Sequence, residues 1–256
     1  MSDVATEGSL RPIARPRHTV YLLLAVFAFA AVGAVRAGQV AQAPPHSRVP
    51  QYLVLLLAEW GLFYYAAMGP RRAGVPLSEI FGVRGWSFRP AGSSDPSEAP
   101  AKVRVGPARL LGTLLLAGAF WIAAGLILAG VKRATDLLGG ATAAEAQRTS
   151  RLLIPHGGIE AVLWVPLSIS AGICEEFVFR GYLQRQLAAL TKSPVAGLLL
   201  SALVFGVAHG YQGVSSVVVI TVFGVLFGIL AHLSRSLVPG IIAHAWQDLA
   251  SGLFRM

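Results

Sequence analysis

The chain has 256 residues, 55% of them hydrophobic and only 13% charged, with a mean hydropathy of +0.64 and a formal net charge of +9. A soluble domain carries about 25% charged residues, so this composition excludes an ordinary soluble protein and predicts an all-α, polytopic transmembrane bundle. The positive charge suits loops facing an anionic cytoplasmic leaflet, not nucleic acid, and a single cysteine, Cys174, excludes an intrachain disulfide.

A span needs roughly 20 apolar residues, and seven stretches qualify. The first is 19–35. Ala41-Gln42-Ala43 after it resembles a secretory cleavage site, but the apolar run is long for a leader and further spans follow, so it is read as a retained helix. The second is 51–69. Residues 83–104, rich in Pro, Ser, Gly and charge, read as a mobile cytoplasmic loop. The third span is 107–131, and "ATAAEAQRTSRLL" within 133–156 reads as an interfacial helix. The remaining spans are 159–182, 194–210, 213–233 and 237–254. Residues 1–150 thus form an N-terminal membrane region of three spans, and 151–256 a second region that holds the candidate chemistry. No internal repeat is visible, which weakens a transporter reading. With the N-terminus inside, two thirds of the 21 Lys and Arg residues fall on inside segments, which predicts a cytoplasmic N-terminus.

The fourth span ends in "AGICEEFVFRGYLQRQL", residues 171–187. An ionisable residue inside a span costs about 2.5–3.5 kcal/mol on insertion scales and needs a reason. Glu176 and Arg180 stand at i and i+4, acid first, the favourable order for a helical ion pair. Glu175, rotated about 100° away, does not share that partner. His209 follows Phe205 by four in the next span, and His244 precedes Asp248 by four in the last, so each pair shares a helix face. Glu175 and His209 are equally distant in sequence from Lys192, the turn between two antiparallel spans, so they are predicted at equal height. His244 reaches a similar depth if the 234–236 turn lies on the same side. Together with the charge bias, this depth arithmetic predicts that substrate arrives from the cytoplasmic side.

Glu, His, His and Asp at one depth fit two hydrolytic chemistries. Glu175, His209 and His244 are candidate ligands for a divalent metal, zinc for example, that activates water. Alternatively Glu175 is a general base on water, His209 orients that water and His244 stabilises an oxyanion. Charge and spacing leave both open, and with them whether a cofactor is needed. No H-E-x-x-H zinc-protease helix is present.

Three motifs in order, E-E-x-x-x-R (Glu175, Glu176, Arg180), F-x-x-x-H (Phe205, His209) and H-x-x-x-D (His244, Asp248), resemble those of the CPBP intramembrane proteases. That family includes type II CAAX prenyl endopeptidases and bacteriocin-processing or self-immunity (Abi) proteins. "FGVLFGILAHLSRSLVPGIIAHAWQD" also resembles the family's glycine-rich run, short basic loop, Pro and His. The likeness covers residues 160 to 250. It implies an intramembrane active-site cavity and hydrolysis of a peptide bond in a membrane-associated or lipid-modified peptide or protein, in a bacterial inner (plasma) membrane. Glu175 and His209 would activate water, with His244 and Asp248 as oxyanion stabilisers or further ligands. Glu176, Arg180 and Phe205 would support them. The family's last position is often Asn; an ionised Asp248 has no hydrogen to donate to an oxyanion and would instead orient His244 or bind a metal.

Three rival functions use the same residues. A non-catalytic immunity or chaperone-type binding protein has no need of an unpaired intramembrane acid. A transporter would use Glu175 as a proton or cation site. A thiol protease on Cys174 is the most distant, since that residue reads as a small apolar packing element. Gly224 and Gly228 form a G-x-x-x-G that permits close helix packing, Trp164 and Trp246 read as packing or interface anchors, and His18, His46, His156 and His232 are assigned no role.

Overall fold

A computed structural model describes residues 11–42, 46–82, 106–138 and 153–254. The loop reading of 83–104 and most of the interfacial-helix reading around 139–152 lie outside these residues. The described residues are helical throughout, with no strand. Helix α1 is Pro16–Gln42, α2 Val49–Arg72, α3 Leu77–Ile80 and α4 Pro107–Leu137. Helix α5, Gly158–Glu175, runs on through a π-helical segment, Glu176–Leu183, into α6, Gln184–Thr191. Then come α7, Pro194–Ala208; a 3₁₀ turn, Gly210–Gln212; α8, Val214–Ser234; and α9, Val238–Leu253. Five of these helical stretches are long and apolar enough to cross a membrane, and their exposed Leu, Val and Ile are the surface a bilayer would cover.

Local chemistry sets the boundaries. Proline begins α2, α4, α7 and α9 within the first two positions, where its missing N–H costs nothing. The Ser193 hydroxyl accepts from the Ala196 N–H at 3.2 Å and caps α7. Lys192 and Arg235, both in the left-handed region, end α6 and α8 and create two tight turns at one end of the bundle. G-x-x-x-G does the packing expected of it: a Cβ on Gly224 would lie 2.9 Å from the Ala202 Cα, and one on Gly228 would lie 2.7 Å from the Gln184 Oε1.

Three span expectations change: the fourth, the fifth, and the seventh, whose helix α9 has only 16 residues and is not among the five long apolar stretches. The fourth membrane helix is continuous over Gly158–Thr191 and does not stop at 182. Polar residues in "RGYLQRQL" do not end it, because protein covers them. Gln186 is fully buried; its Oε1 accepts from the Ile13 and Ala14 N–H groups at 2.8 and 3.1 Å, and its Nε2 donates to the Ala14 carbonyl at 2.8 Å. Arg185 donates to the Glu79 and Ile80 carbonyls at 3.2 and 3.1 Å. The fifth helix, α7, has only 15 residues, about 22 Å at 1.5 Å per residue. That is shorter than the hydrocarbon core of about 30 Å, so α7 by itself does not span it.

The same contacts seal the turn end. There the N-terminal segment docks on Gln186, Leu77–Gly82 docks on Arg185, and the Leu237 N–H donates to the Phe81 carbonyl at 3.0 Å. The rings of Phe63, Phe81 and Phe177 pack at tilted angles behind them. At the far end Glu160 joins the starts of α2 and α5: its carboxylate accepts from the Arg48 N–H at 2.7 Å and the His156 N–H at 2.8 Å. The Tyr52 hydroxyl donates there to the Leu153 carbonyl at 2.5 Å.

Candidate active site

Glu175 is the last α-helical residue before the π segment, and a π turn commonly marks a functional position. Its carboxylate faces both histidines: Oε1 lies 3.9 Å from the His209 Nε2 and Oε2 lies 3.6 Å from the His244 Nε2. The equal-height expectation for Glu175 and His209 is matched. Neither distance is a direct hydrogen bond; both suit a shared intervening oxygen.

Backbone geometry fixes His209. It occupies the C-cap of α7, and its Nδ1 lies 2.9 Å from the Phe205 carbonyl. That oxygen only accepts, so Nδ1 carries the hydrogen and Nε2 presents its lone pair towards Glu175 in the neutral ring. The F-x-x-x-H spacing therefore serves through the Phe205 main chain. The Phe205 ring does a separate job: the Arg180 guanidinium lies 4.4 Å from its centroid, with the Phe227 and Phe223 rings at 5.4 and 5.7 Å. These aromatic faces help to house a cation deep in the protein.

Glu176 and Arg180 pair as the spacing predicts, with Nη1 at 2.9 Å from Oε1 and side chains only 1% and 2% exposed. The same oxygen accepts from the His244 Nδ1, also at 2.9 Å. The sequence reading left two roles open for Asp248, orienting His244 or binding a metal. Its Oδ2 is 3.8 Å from the His244 Nε2, too far for a hydrogen bond. Glu176 orients His244 instead, because the α5–α9 packing brings Nδ1 onto the Glu176 carboxylate. Asp248 lines the cavity beside His244.

The cavity in front of these groups has a volume of about 890 Å³. Its wall includes Glu59 of α2, which the sequence reading missed. The Glu59 Oε2 is buried without a hydrogen-bond partner among the described residues, and Glu175 and Asp248 line the same cavity. The signal was available: Glu59 is an acid inside an apolar span, the criterion that singled out Glu175. With Val26 of α1 and Leu128 of α4 also in the wall, the N-terminal half of the chain builds part of the site. Cys174 lines the cavity too, as a buried small residue. Trp164 donates through Nε1 to the Asp248 carbonyl at 2.9 Å, a packing role that also steadies α9.

The cavity runs away from the turn end. From Glu175 and His244 it passes Glu59, Trp164 and Tyr211 and reaches Lys132, Asp136 and Ile154. It touches none of the residues that form the seal. α3 and the N-terminal segment cover the side of the 192 and 235 turns.

Among the described residues no group of three or more His, Cys, Asp or Glu side chains is arranged to hold a metal ion. The Nδ1 atoms of His209 and His244 are engaged at Phe205 and Glu176, which leaves both Nε2 atoms facing Glu175.

Residues 157–250 match the family model described as Type II CAAX prenyl endopeptidase Rce1-like. The match spans all three motifs and agrees with the likeness read from them. No curated protein and no solved structure matches the chain.

Proposed function

With residues 157–250 matching the Rce1-like CAAX endopeptidases, we propose that this chain is an intramembrane endopeptidase that hydrolyses a peptide bond by glutamate-activated water. The observation that carries the reading is the placement of the Glu175 carboxylate within 4 Å of two imidazoles that different groups orient. A water molecule between Glu175 and His209 donates one O–H to each, which leaves an oxygen lone pair for the scissile carbonyl. Glu175 takes the proton as that oxygen attacks, then returns it to the leaving amine. His244, held through Nδ1 by Glu176, directs Nε2 into the cavity; when protonated there, it donates to the developing oxyanion. Buried Arg180 compensates the Glu176 charge so that Glu176 serves as an anchor for His244 and leaves the base role to Glu175.

The substrate class is a membrane-associated or lipid-modified peptide or protein, in a bacterial inner membrane. In cells, Glu175→Gln should reach wild-type abundance and accumulate uncut membrane peptides that the wild type removes. Normal processing by the variant would sink the glutamate mechanism. A binding protein on the same scaffold predicts that outcome, with partner capture retained.

A further inference from the structure

A second cavity lies apart from the one that holds Glu175, and no residue lines both. It sits between the start of α1 and the end of α2 and has a volume of about 450 Å³, within the range of about 300–1,000 Å³ typical of ligand pockets. Its wall carries three arginines, Arg15, Arg17 and Arg72, with His18, Tyr21 and Tyr65, and no acid. Among the described residues none of these guanidinium groups has an acidic partner. The Arg72 Nη2 lies 4.0 Å from the Met68 Sδ, a weak acceptor. Cations gathered around one cavity repel each other and attract an anion.

His18 is built into this wall. It is 8% exposed and stacks on Tyr65 with ring centroids 4.4 Å apart. Its Nε2 is buried with no hydrogen-bond partner among the described residues. Gly69 makes room for the ring: a Cβ there would lie 2.7 Å from the His18 Cδ2 and 2.9 Å from its Nε2. Further along α1, Val20 and Leu24 are exposed apolar residues. The cavity therefore stands at the edge of the surface a bilayer would cover, the level at which Tyr and Arg meet headgroups.

We propose that this cavity is a binding site for a phosphate-bearing anion, supplied by the headgroup of an anionic phospholipid or by inorganic phosphate. A guanidinium group pairs with phosphate oxygens through two parallel N–H donors, and the tyrosine hydroxyls donate to the oxygens left over. Cations from two helices suit a tetrahedral anion, whose oxygens point in several directions, and basic pockets between membrane helices bind such headgroups. A bound phosphate ties α1 to α2. It also bears on the π segment: the Thr19 Oγ1 lies 2.9 Å from the Tyr182 hydroxyl, and the Tyr182 ring meets the His18 ring edge-on at 5.8 Å. The site stands whether or not the Glu175 cavity is a peptidase centre.

Full-length protein in a neutral detergent is titrated separately with dihexanoyl phosphatidylglycerol, dihexanoyl phosphatidylcholine and sodium phosphate at constant ionic strength, and its thermal midpoint is followed. A ligand of the folded state raises the midpoint as its concentration rises. The expected result is a saturating rise whose half-maximal concentration increases roughly tenfold or more in Arg17→Gln/Arg72→Gln, the loss of charge-assisted hydrogen bonds. A rise with phosphatidylglycerol and not with phosphate assigns the lipid headgroup; a rise with phosphate shows that the free anion suffices. Arg36→Gln/Arg109→Gln removes the same charge elsewhere and should respond as the wild type does. The proposal is overturned if neither phosphatidylglycerol nor phosphate raises the midpoint, if the zwitterion phosphatidylcholine raises it equally, or if the two double variants respond alike. Should the pocket variant show no cooperative transition, Arg17→Gln alone, a change at an exposed side chain, supplies the comparison.

Discussion

At the scale of single residues, the two adjacent acids have opposite environments. Glu175 faces an open cavity with no cation in direct contact, whereas Glu176 holds Arg180 and His244 on one oxygen. Removing one partner of a buried ion pair costs about 3–5 kcal/mol because the other charge is stranded. Glu176→Gln should therefore lower both folded yield and activity, read as a reduced thermal midpoint and slower cleavage per folded molecule. Unchanged stability would mean that Arg180 finds compensation elsewhere. Glu59 differs again. It has no bond to lose, so Glu59→Gln should keep the wild-type thermal midpoint. A carboxyl group facing the reacting groups gives that variant a rate lower by roughly tenfold or more, within reach of a lost acid–base contribution. A lower midpoint with an unchanged rate would assign Glu59 to structure.

At the scale of elements, the site depends on close approach of helices that carry small residues at their crossings. Gly224 of α8 lies against Ala202 of α7, and Gly172 of α5 lies against the Ile241 carbonyl of α9. These crossings set the distances of His209 and His244 from Glu175. Forcing a large side chain into such a contact costs typically 1–3 kcal/mol or more. Gly224→Leu should push α8 away from α7, lower the thermal midpoint and reduce cleavage; Gly224→Ala should do so less. Equal behaviour of the two variants would show that the crossing tolerates volume. The π segment belongs to this scale too. The i, i+4 rule found the Glu176–Arg180 pair, but the bulge that follows Glu175 is not encoded in a hydrophobic period, so it appears only in the folded helix.

At the scale of the whole molecule, the turn end is latched. Gln186 holds the N-terminal segment through three hydrogen bonds to Ile13 and Ala14. Each buried main-chain group left without a partner costs about 1–3 kcal/mol. Gln186→Ala should therefore release residues 11–15, seen as faster proteolysis before α1 and a lower thermal midpoint, without moving Glu175. Protection equal to wild type would show that the apolar contacts of Ala14 suffice.

The sequence by itself determined the class of molecule and most of the chemistry. Apolar runs dictate spans wherever the solvent is lipid, and pairs four residues apart share a helix face whatever the tertiary fold, so Glu176–Arg180, Phe205–His209 and His244–Asp248 were legible. The equal spacing of Glu175 and His209 about Lys192 even placed two helices in register, because a tight hairpin leaves little freedom. Tertiary structure decided the rest. Which acid orients His244 depends on how α9 meets the π segment, and Glu176, not Asp248, is the one in reach. That Glu59 joins the cavity depends on how α2 is rotated. The closure of the turn end depends on segments distant in sequence, Ile13, Ala14 and Leu77–Gly82, folding over the turns. No local pattern carries that information, since a polar residue such as Gln186 reads as exposed until the main chain it binds is in place.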